Sequence, residues 1–267
     1  MPTRFYNLLI CPVCGEAKGR LLRESNFLRC TSCEASYPTG EGFVDFVLND
    51  DFRNRSRVQK MMEFVPLVRV YEKFWRPAAT FLLGGTSWEI KQVGQFLTPL
   101  KDAILLDIAC GPGNFTRPLA RSVGKNGVVI GADLSRPMLL KAADEARKEK
   151  LENINFVRSD TTMRLPFVNS VFDGINCTGA IHLFPDIPAM CSAVRDLLKP
   201  GGRFVGTTYI PEKLPLKLWI KAVQSVITGV RLFKRGELED ILRKTGFDPV
   251  ESTMKGMTMA WRAVRKK

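Results

Sequence analysis

At 267 residues, with 45% hydrophobic and 25% charged side chains, the chain can bury one full α/β core and carry a smaller appendage, and its composition excludes the disordered and low-complexity classes. No stretch reaches the roughly 20 apolar residues of a membrane span; the longest apolar candidate, Leu214 to Phe233, is interrupted by Lys217, Lys221, Gln224 and Arg231. The net charge of +13 is uneven, since residues 1–50 carry 5 basic and 6 acidic side chains and residues 201–267 carry 14 and 6, so an anionic partner is expected at the C-terminal quarter unless those lysines and arginines merely solubilise.

The first fifty residues read as a module of their own. Their opening, MPTRFYNLLICPVC, lacks the basic segment, apolar run and small-residue cleavage site of a secretory signal, so a cytoplasmic protein is expected. Two cysteine pairs follow, Cys11-Pro-Val-Cys14 and Cys30-Thr-Ser-Cys33, separated by 15 residues. Two residues between ligands let a tight knuckle aim two thiolates at one ion, and two knuckles complete a tetrahedral shell, so Zn2+ is expected on Cys11, Cys14, Cys30 and Cys33. Gly15 suits the left-handed backbone of such a knuckle. A closed four-thiolate shell leaves no open coordination position, which makes this metal structural. Disulfides fit less well, because the remaining cysteines have no paired spacing, and a redox site would need one Cys-x2-Cys within a βαβ pattern. Residues 51–100 are expected to form a helical cap or linker, with Tyr71 and Trp75 at i, i+4 spacing.

From residue 101 to 267 the pattern alternates. AILLDIA (103–109) reads as a buried strand and CGPGNFTRPLARSV as a glycine turn opening a helix. GVVIGAD is a second strand ending in Asp133, followed by a helix over 137–150 and the strand NINFVRSD. VFDGINCTGA, a helix over 187–198, the strand GRFVGTTYI and a helix over 236–244 complete the series. This alternation predicts an α/β domain with a doubly wound, mostly parallel sheet, whose ligand crevice lies at the carboxyl ends of the strands. Gly111-Pro112-Gly113 permits close backbone approach, yet Thr116 stands where a dinucleotide fingerprint needs its third small residue, so a pyrophosphate site is disfavoured.

DIACGPGNF resembles the first motif of class I S-adenosylmethionine-dependent methyltransferases, with Asp107 at its head. GADLS resembles the second motif, RSDTTMRLPF the third, and LLKPGGRFV (197–205) the turn into the fifth strand. The resemblance spans residues 103–210 in the family's order and implies a seven-stranded Rossmann-like sheet with S-adenosylmethionine as cofactor. It implies that Asp107, Ala109, Cys110, Gly111, Gly113, Asn114 and Phe115 form the first wall of the cofactor site. Asp133 would grip the ribose hydroxyls, with Leu134 and Met138 beside it; Asp160 and Thr161 would meet the adenine, and Thr178 would lie past the fourth strand. A carboxylate suits the ribose because it accepts charge-assisted bonds from both hydroxyls, although Asp133-Leu134-Ser135 also reads as a helix cap.

NCTGAIHLFPDIPAM and YEKFWRPAA are similar to the quinone-biosynthesis (ubiquinone/menaquinone) methyltransferases, some of which carry a cysteine-rich N-terminal ribbon. On that resemblance Tyr71 and Trp75 would cover the cofactor; plain aromatic packing is the other reading. His182, the one histidine, lies just past the fourth strand and is the candidate general base. Cys110 and Cys177 read as buried filler near the site. An apolar, lysine-bearing insertion over about 211–235, with Trp219 and Phe233, would roof the acceptor pocket or touch a membrane surface. A small lipophilic or aromatic acceptor is therefore expected. The alternatives are an rRNA guanine methyltransferase, whose finger resembles Cys-x2-Cys then Cys-x3-His where this chain has Cys30-x2-Cys33, and a non-catalytic binding protein on the same fold.

Overall fold

The computed structural model describes residues 3–48, 85–98, 100–160, 164–210 and 231–267. Tyr71, Trp75, Thr161 and Trp219, with most of the expected cap and insertion, lie outside the described residues.

The N-terminal module begins with a one-turn helix, α1 (Thr3–Tyr6), and continues as a three-stranded antiparallel sheet of β1 (Leu21–Arg23), β2 (Phe27–Cys30) and β3 (Ser36–Pro38). Its two knuckles repeat one geometry. The Gly15 N–H donates to the Cys11 carbonyl at 2.9 Å, and the Glu34 N–H donates to the Cys30 carbonyl at 3.1 Å. Gly15 and Glu34 take left-handed φ values of +70° and +59°. Glycine adopts this freely, whereas a side chain there costs about 1 kcal/mol, so Glu34 holds its place under mild strain.

The chain then enters the main sheet itself. β4 (Val44–Asp45) pairs in parallel with the edge strand β7 (Ile154–Arg158). The sheet thus has eight strands where seven were expected, the extra one lent by the N-terminal module. Its order is β10–β11–β9–β8–β5–β6–β7–β4, with β5 (Ile104–Ile108), β6 (Val128–Asp133), β8 (Phe172–Thr178), β9 (Leu198–Tyr209), β10 (Phe247–Lys255) and β11 (Thr258–Arg265). β4 through β9 run parallel, while β11 and β10 close the far edge antiparallel. β5 is buried along its whole length, as its apolar run ILLDI requires of a central parallel strand. The chain leaves β5 toward β6 and later returns on its other side as β8, which makes the β5/β8 junction a switch point with a crevice at its carboxyl end.

Helices cover both faces. α2 (Thr86–Leu97), α3 (Thr116–Val123) and α4 (Arg136–Lys148) line one side, where Leu97, Leu119 and Leu139 are buried. α5 (Ile187–Leu197) and α6 (Glu237–Lys244) lie in the apolar cluster of the other side. α4 shows why its sequence is helical. Ser135 caps the Met138 N–H, Pro137 opens the first turn, Arg147 and Lys148 oppose the dipole at the end, and Met138, Leu139, Ala142, Ala143 and Ala146 form one buried stripe.

Between β7 and β8 no helix stands among the described residues. Phe5, Leu8, Leu9, Val44 and Phe46 of the N-terminal module instead share an apolar cluster with Ile130, Val157, Phe167 and Phe172. The Ile10 N–H donates to the Pro166 carbonyl at 3.0 Å, and Leu9 bridges Phe167, so backbone bonds join the module to this connection as well.

Candidate functional site

The residues singled out in the first motif gather at the carboxyl end of β5. Asp107 is 2% exposed and both of its oxygens are engaged: the Thr116 hydroxyl donates at 2.6 Å and the Asn176 amide at 2.7 Å. The Thr178 hydroxyl donates in turn to the Asn176 carbonyl oxygen at 2.8 Å, so one polar chain ties β5, α3 and β8 together. A buried carboxylate is tolerable only when so satisfied. Asn176 was not singled out from sequence and Thr116 was read only as a departure from the dinucleotide fingerprint, although an asparagine inside a buried strand is a signal that it serves a buried partner.

The turn after β5 winds through left-handed values at Ala109 (+53°), Gly111 (+54°) and Gly113 (+78°). A Cβ on Gly111 would meet no atom within 4 Å, so the backbone there faces open space. A Cβ on Gly113 would press at 3.4 Å on Ala142 and on the Arg117 guanidinium. Arg117 braces the turn, donating to the Pro112 carbonyl at 2.7 Å and to the Asn114 side chain at 3.2 Å. Phe115 is buried at the mouth of α3.

Asp133 ends β6 and joins the second motif to the first. One of its oxygens accepts the Gly111 N–H at 2.7 Å and the other accepts the Ser135 N–H at 2.8 Å. A carboxylate oxygen can accept more than one hydrogen bond, which is the chemistry a diol requires. Leu134 and Met138 follow on the turn and the first turn of α4, Met138 buried. Asp160 lies two residues past β7, and the Ser159 N–H beside it donates to the Asp133 carbonyl at 3.0 Å. The carboxyl ends of β5, β6, β7 and β8 therefore bring Asp107, Gly111, Asp133, Asp160 and Thr178 to one end of the sheet.

His182 occupies a short 3-10 turn, Ile181–Leu183, with Nδ1 3.3 Å from the Thr208 hydroxyl and its ring 5.8 Å from that of Tyr209. Burial lowers its pKa from 6.5 to about 4, so the imidazole is neutral near pH 7 and is a poor proton acceptor. Burial also pushes the Cys110 and Cys177 thiols well above their ordinary value, with Asp133 and Asp107 adding to it at Cys110, so both stay protonated, as filler residues would. A cavity of about 410 Å3 lies elsewhere, between residues 164–169 and α5, bordered by Arg164, Asn169, Asp186 and Met190, and shares no residue with the converging set.

In the N-terminal module the sulfurs of Cys11, Cys14, Cys30 and Cys33 all lie within 4.8 Å of one another. The Cys11–Cys33 and Cys14–Cys30 sulfurs are each 3.7 Å apart, beyond a disulfide bond. The Tyr37 hydroxyl stands 3.0 Å from the Cys11 sulfur, and the Ser32 N–H donates to the Cys30 sulfur at 3.4 Å. Burial raises the Cys30 thiol, but the backbone N–H groups of Cys33 and Ser32 outweigh it and bring the pKa down to about 7. Cys14 is pushed up to about 12, first by its hydrogen bond with Cys33. Four sulfurs gathered this closely form a donor set of the kind that suits a soft cation.

Residues 105–202 match the family described as "Methyltransferase domain". An uncharacterized chloroplastic methyltransferase of Arabidopsis thaliana is 27% identical over 260 residues, covering 90% of this chain and 73% of that one. A demethylmenaquinone methyltransferase of Staphylococcus epidermidis is 31% identical, covering 62% of this chain and 70% of that one. Among solved structures, a phosphoethanolamine N-methyltransferase of Haemonchus contortus in complex with phosphomonomethylethanolamine and S-adenosylhomocysteine superposes with a TM-score of 0.66 at 20% identity, covering 79% of this chain and 59% of that one.

Proposed function

The chain belongs to the S-adenosylmethionine-dependent methyltransferases, and from that premise we propose that it methylates a small lipophilic or aromatic acceptor. The observation that carries the site assignment is Asp133, a carboxylate at the end of β6 that the Gly111 and Ser135 N–H groups tie to the glycine turn, where a ribose diol would meet an anionic acceptor. The open backbone at Gly111 would receive the methionine portion, Asp160 and Thr161 the adenine, and Thr178 the edge beyond β8. Asp107, with both oxygens engaged inside the fold, would act by holding the turn.

The cofactor supplies a sulfonium methyl group open to in-line displacement. The chain's part is to orient the acceptor and exclude water. His182, neutral and hydrogen-bonded to Thr208, would orient an acceptor polar group better than it would remove a proton. A lipophilic acceptor is supported by the menaquinone-pathway relative and by the apolar composition of residues 211–230.

We also propose that the four N-terminal cysteines hold one structural Zn2+. A Zn–S bond of about 2.3 Å gives a tetrahedron with edges of about 3.8 Å, and two sulfur pairs stand 3.7 Å apart. A closed shell of this kind would staple the module and take no part in methyl transfer. The thiols imply a reducing compartment, with the cytoplasm as the plain assignment.

Native mass spectrometry with added S-adenosylmethionine, followed by incubation with a lipid extract and separately with RNA, tests the whole reading. One zinc, one cofactor and release of S-adenosylhomocysteine with the lipid extract are expected. Turnover with RNA alone would overturn the acceptor assignment, and failure to bind cofactor would overturn the site.

A further inference from the structure

Three adjacent strands carry Asp45, Arg158 and Asp133 side by side: Asp45 pairs with Arg158 across β4 and β7, and Arg158 pairs with Asp133 across β7 and β6. The Arg158 side chain is almost fully buried, and its guanidinium reaches both a carboxylate and a backbone carbonyl. Nη1 meets the Asp45 carboxylate at 3.2 Å, and Nε donates to the Leu134 carbonyl at 2.9 Å. Backbone bonds reinforce the same line, because the Phe46 N–H donates to the Arg158 carbonyl at 2.9 Å. Asp45 is itself held by the Val47 N–H at 2.9 Å.

Leu134 directly follows Asp133 and begins the turn that aims its carboxylate. We propose that Asp45, brought by the N-terminal module, is a positioning residue for the cofactor's ribose: through Arg158 it holds the Leu134 carbonyl and with it the Asp133-Leu134-Ser135 turn. A guanidinium is suited to this, since its planar fork sets donors on separate nitrogens at fixed angles, where a lysine must donate from a single atom. Removing the Asp45 charge takes an anion from a buried cation, which shifts the guanidinium and with it the bond to the Leu134 carbonyl. The inference rests on the cofactor reading above, and gives the N-terminal module a place in binding beyond covering the sheet.

The test is a double-mutant cycle on the full-length, zinc-loaded protein, read by calorimetric titration with S-adenosylhomocysteine. Asp45→Asn is expected to weaken binding about tenfold in the wild-type background and less than about twofold in an Asp133→Asn background, where no ribose acid remains to be aimed. Arg158→Lys keeps the charge but loses the second donor direction, and should give the same pattern; it decides the matter if Asp45→Asn does not fold. Equal losses in both backgrounds would mean a merely structural role, and no loss in either would mean none, so both overturn the proposal. A wild-type chain that does not bind overturns the cofactor reading and this inference together, whereas wild-type binding with additive variants overturns this inference alone.

Discussion

The two faces of the central sheet are roofed by different means. On one face α3 and α4 each follow directly in sequence a strand that they help to cover, and each brings an apolar stripe, α4 with its own Ser135 cap. On the other, over β6 and β7, the cover comes from residues far back in the chain, Phe5, Leu8, Leu9, Val44 and Phe46. A helix born in a crossover is held by its own hydrogen bonds and its neighbours. A ribbon of three strands, none longer than 4 residues, has no core large enough to stand alone and needs a staple.

That contrast breaks most visibly at the cysteines. Cys14→Ser, or prolonged chelation, should take the metal content from one zinc per chain to none by elemental analysis. Because the ribbon roofs the sheet, the loss should reach the catalytic domain: a drop of more than about 5 °C in the unfolding midpoint is expected, since structural zinc contributes several kcal/mol to such modules. An unchanged midpoint with zinc absent would mean that the far roof holds without its staple.

The crevice side is tested at Asp133, the acid proposed for the ribose. Asp133→Ala should weaken S-adenosylhomocysteine binding about a hundredfold, the loss of two hydrogen bonds to a charged acceptor at about 1.5 kcal/mol each. Metal content should not change. Near-normal calorimetric affinity would remove Asp133 from the ribose.

What could be read in advance follows the same division. The crevice was legible because each of its parts is local: Asp107 ends an apolar run, Gly111 and Gly113 shape the next turn, and Asp133 ends the next strand. The metal cluster was legible because two short spacings announce it. What joins the two was not, for β4 is two residues long, Val44 and Asp45, and nothing in GFVDF marks it as a strand of another sheet. Arg158 is one charge near the end of the predicted strand NINFVRSD, and its partners Asp45 and Leu134 are known only once three strands lie side by side. The β10–β11 hairpin escaped for a different reason: β10 is largely exposed and its polar sequence FDPVESTMK carries no apolar alternation. Residues 51–84 and 211–230, where the cap and the acceptor roof were expected, lie outside the described residues.

A smaller effect distinguishes the crevice side by pH. His182 has a folded pKa near 4 against 6.5 when exposed, so between those values the unfolded chain binds a proton that the folded chain refuses. Its contribution is therefore complete above pH 6.5 and is lost as the pH falls toward 4, up to about 3 kcal/mol at about 1.4 kcal/mol per unit. His182→Asn should flatten this acid limb in denaturant titrations at several pH values. A limb that survives the substitution would assign it to other groups, the carboxylates first.

The smallest effect compares the two regions at one shared feature, a side chain in left-handed backbone. Glu34 at φ +59° closes the second knuckle, and Ala109 at +53° begins the crevice turn. Glycine relieves about 1 kcal/mol at either place but also frees the unfolded chain by about 0.4–1 kcal/mol, so net stability should rise by no more than about 0.5 kcal/mol in both variants. They should part in binding. Glu34→Gly relaxes a knuckle held by sulfur and distant from the ribose, and should leave cofactor affinity unchanged. Ala109→Gly loosens a turn whose Gly111 N–H must meet Asp133, and a looser turn must be ordered again on binding, so affinity should fall about twofold to threefold with stability level or higher. Equal affinity in both variants would show that the Asp133 bond alone sets the turn, and that Ala109 holds its strained conformation without consequence for the site.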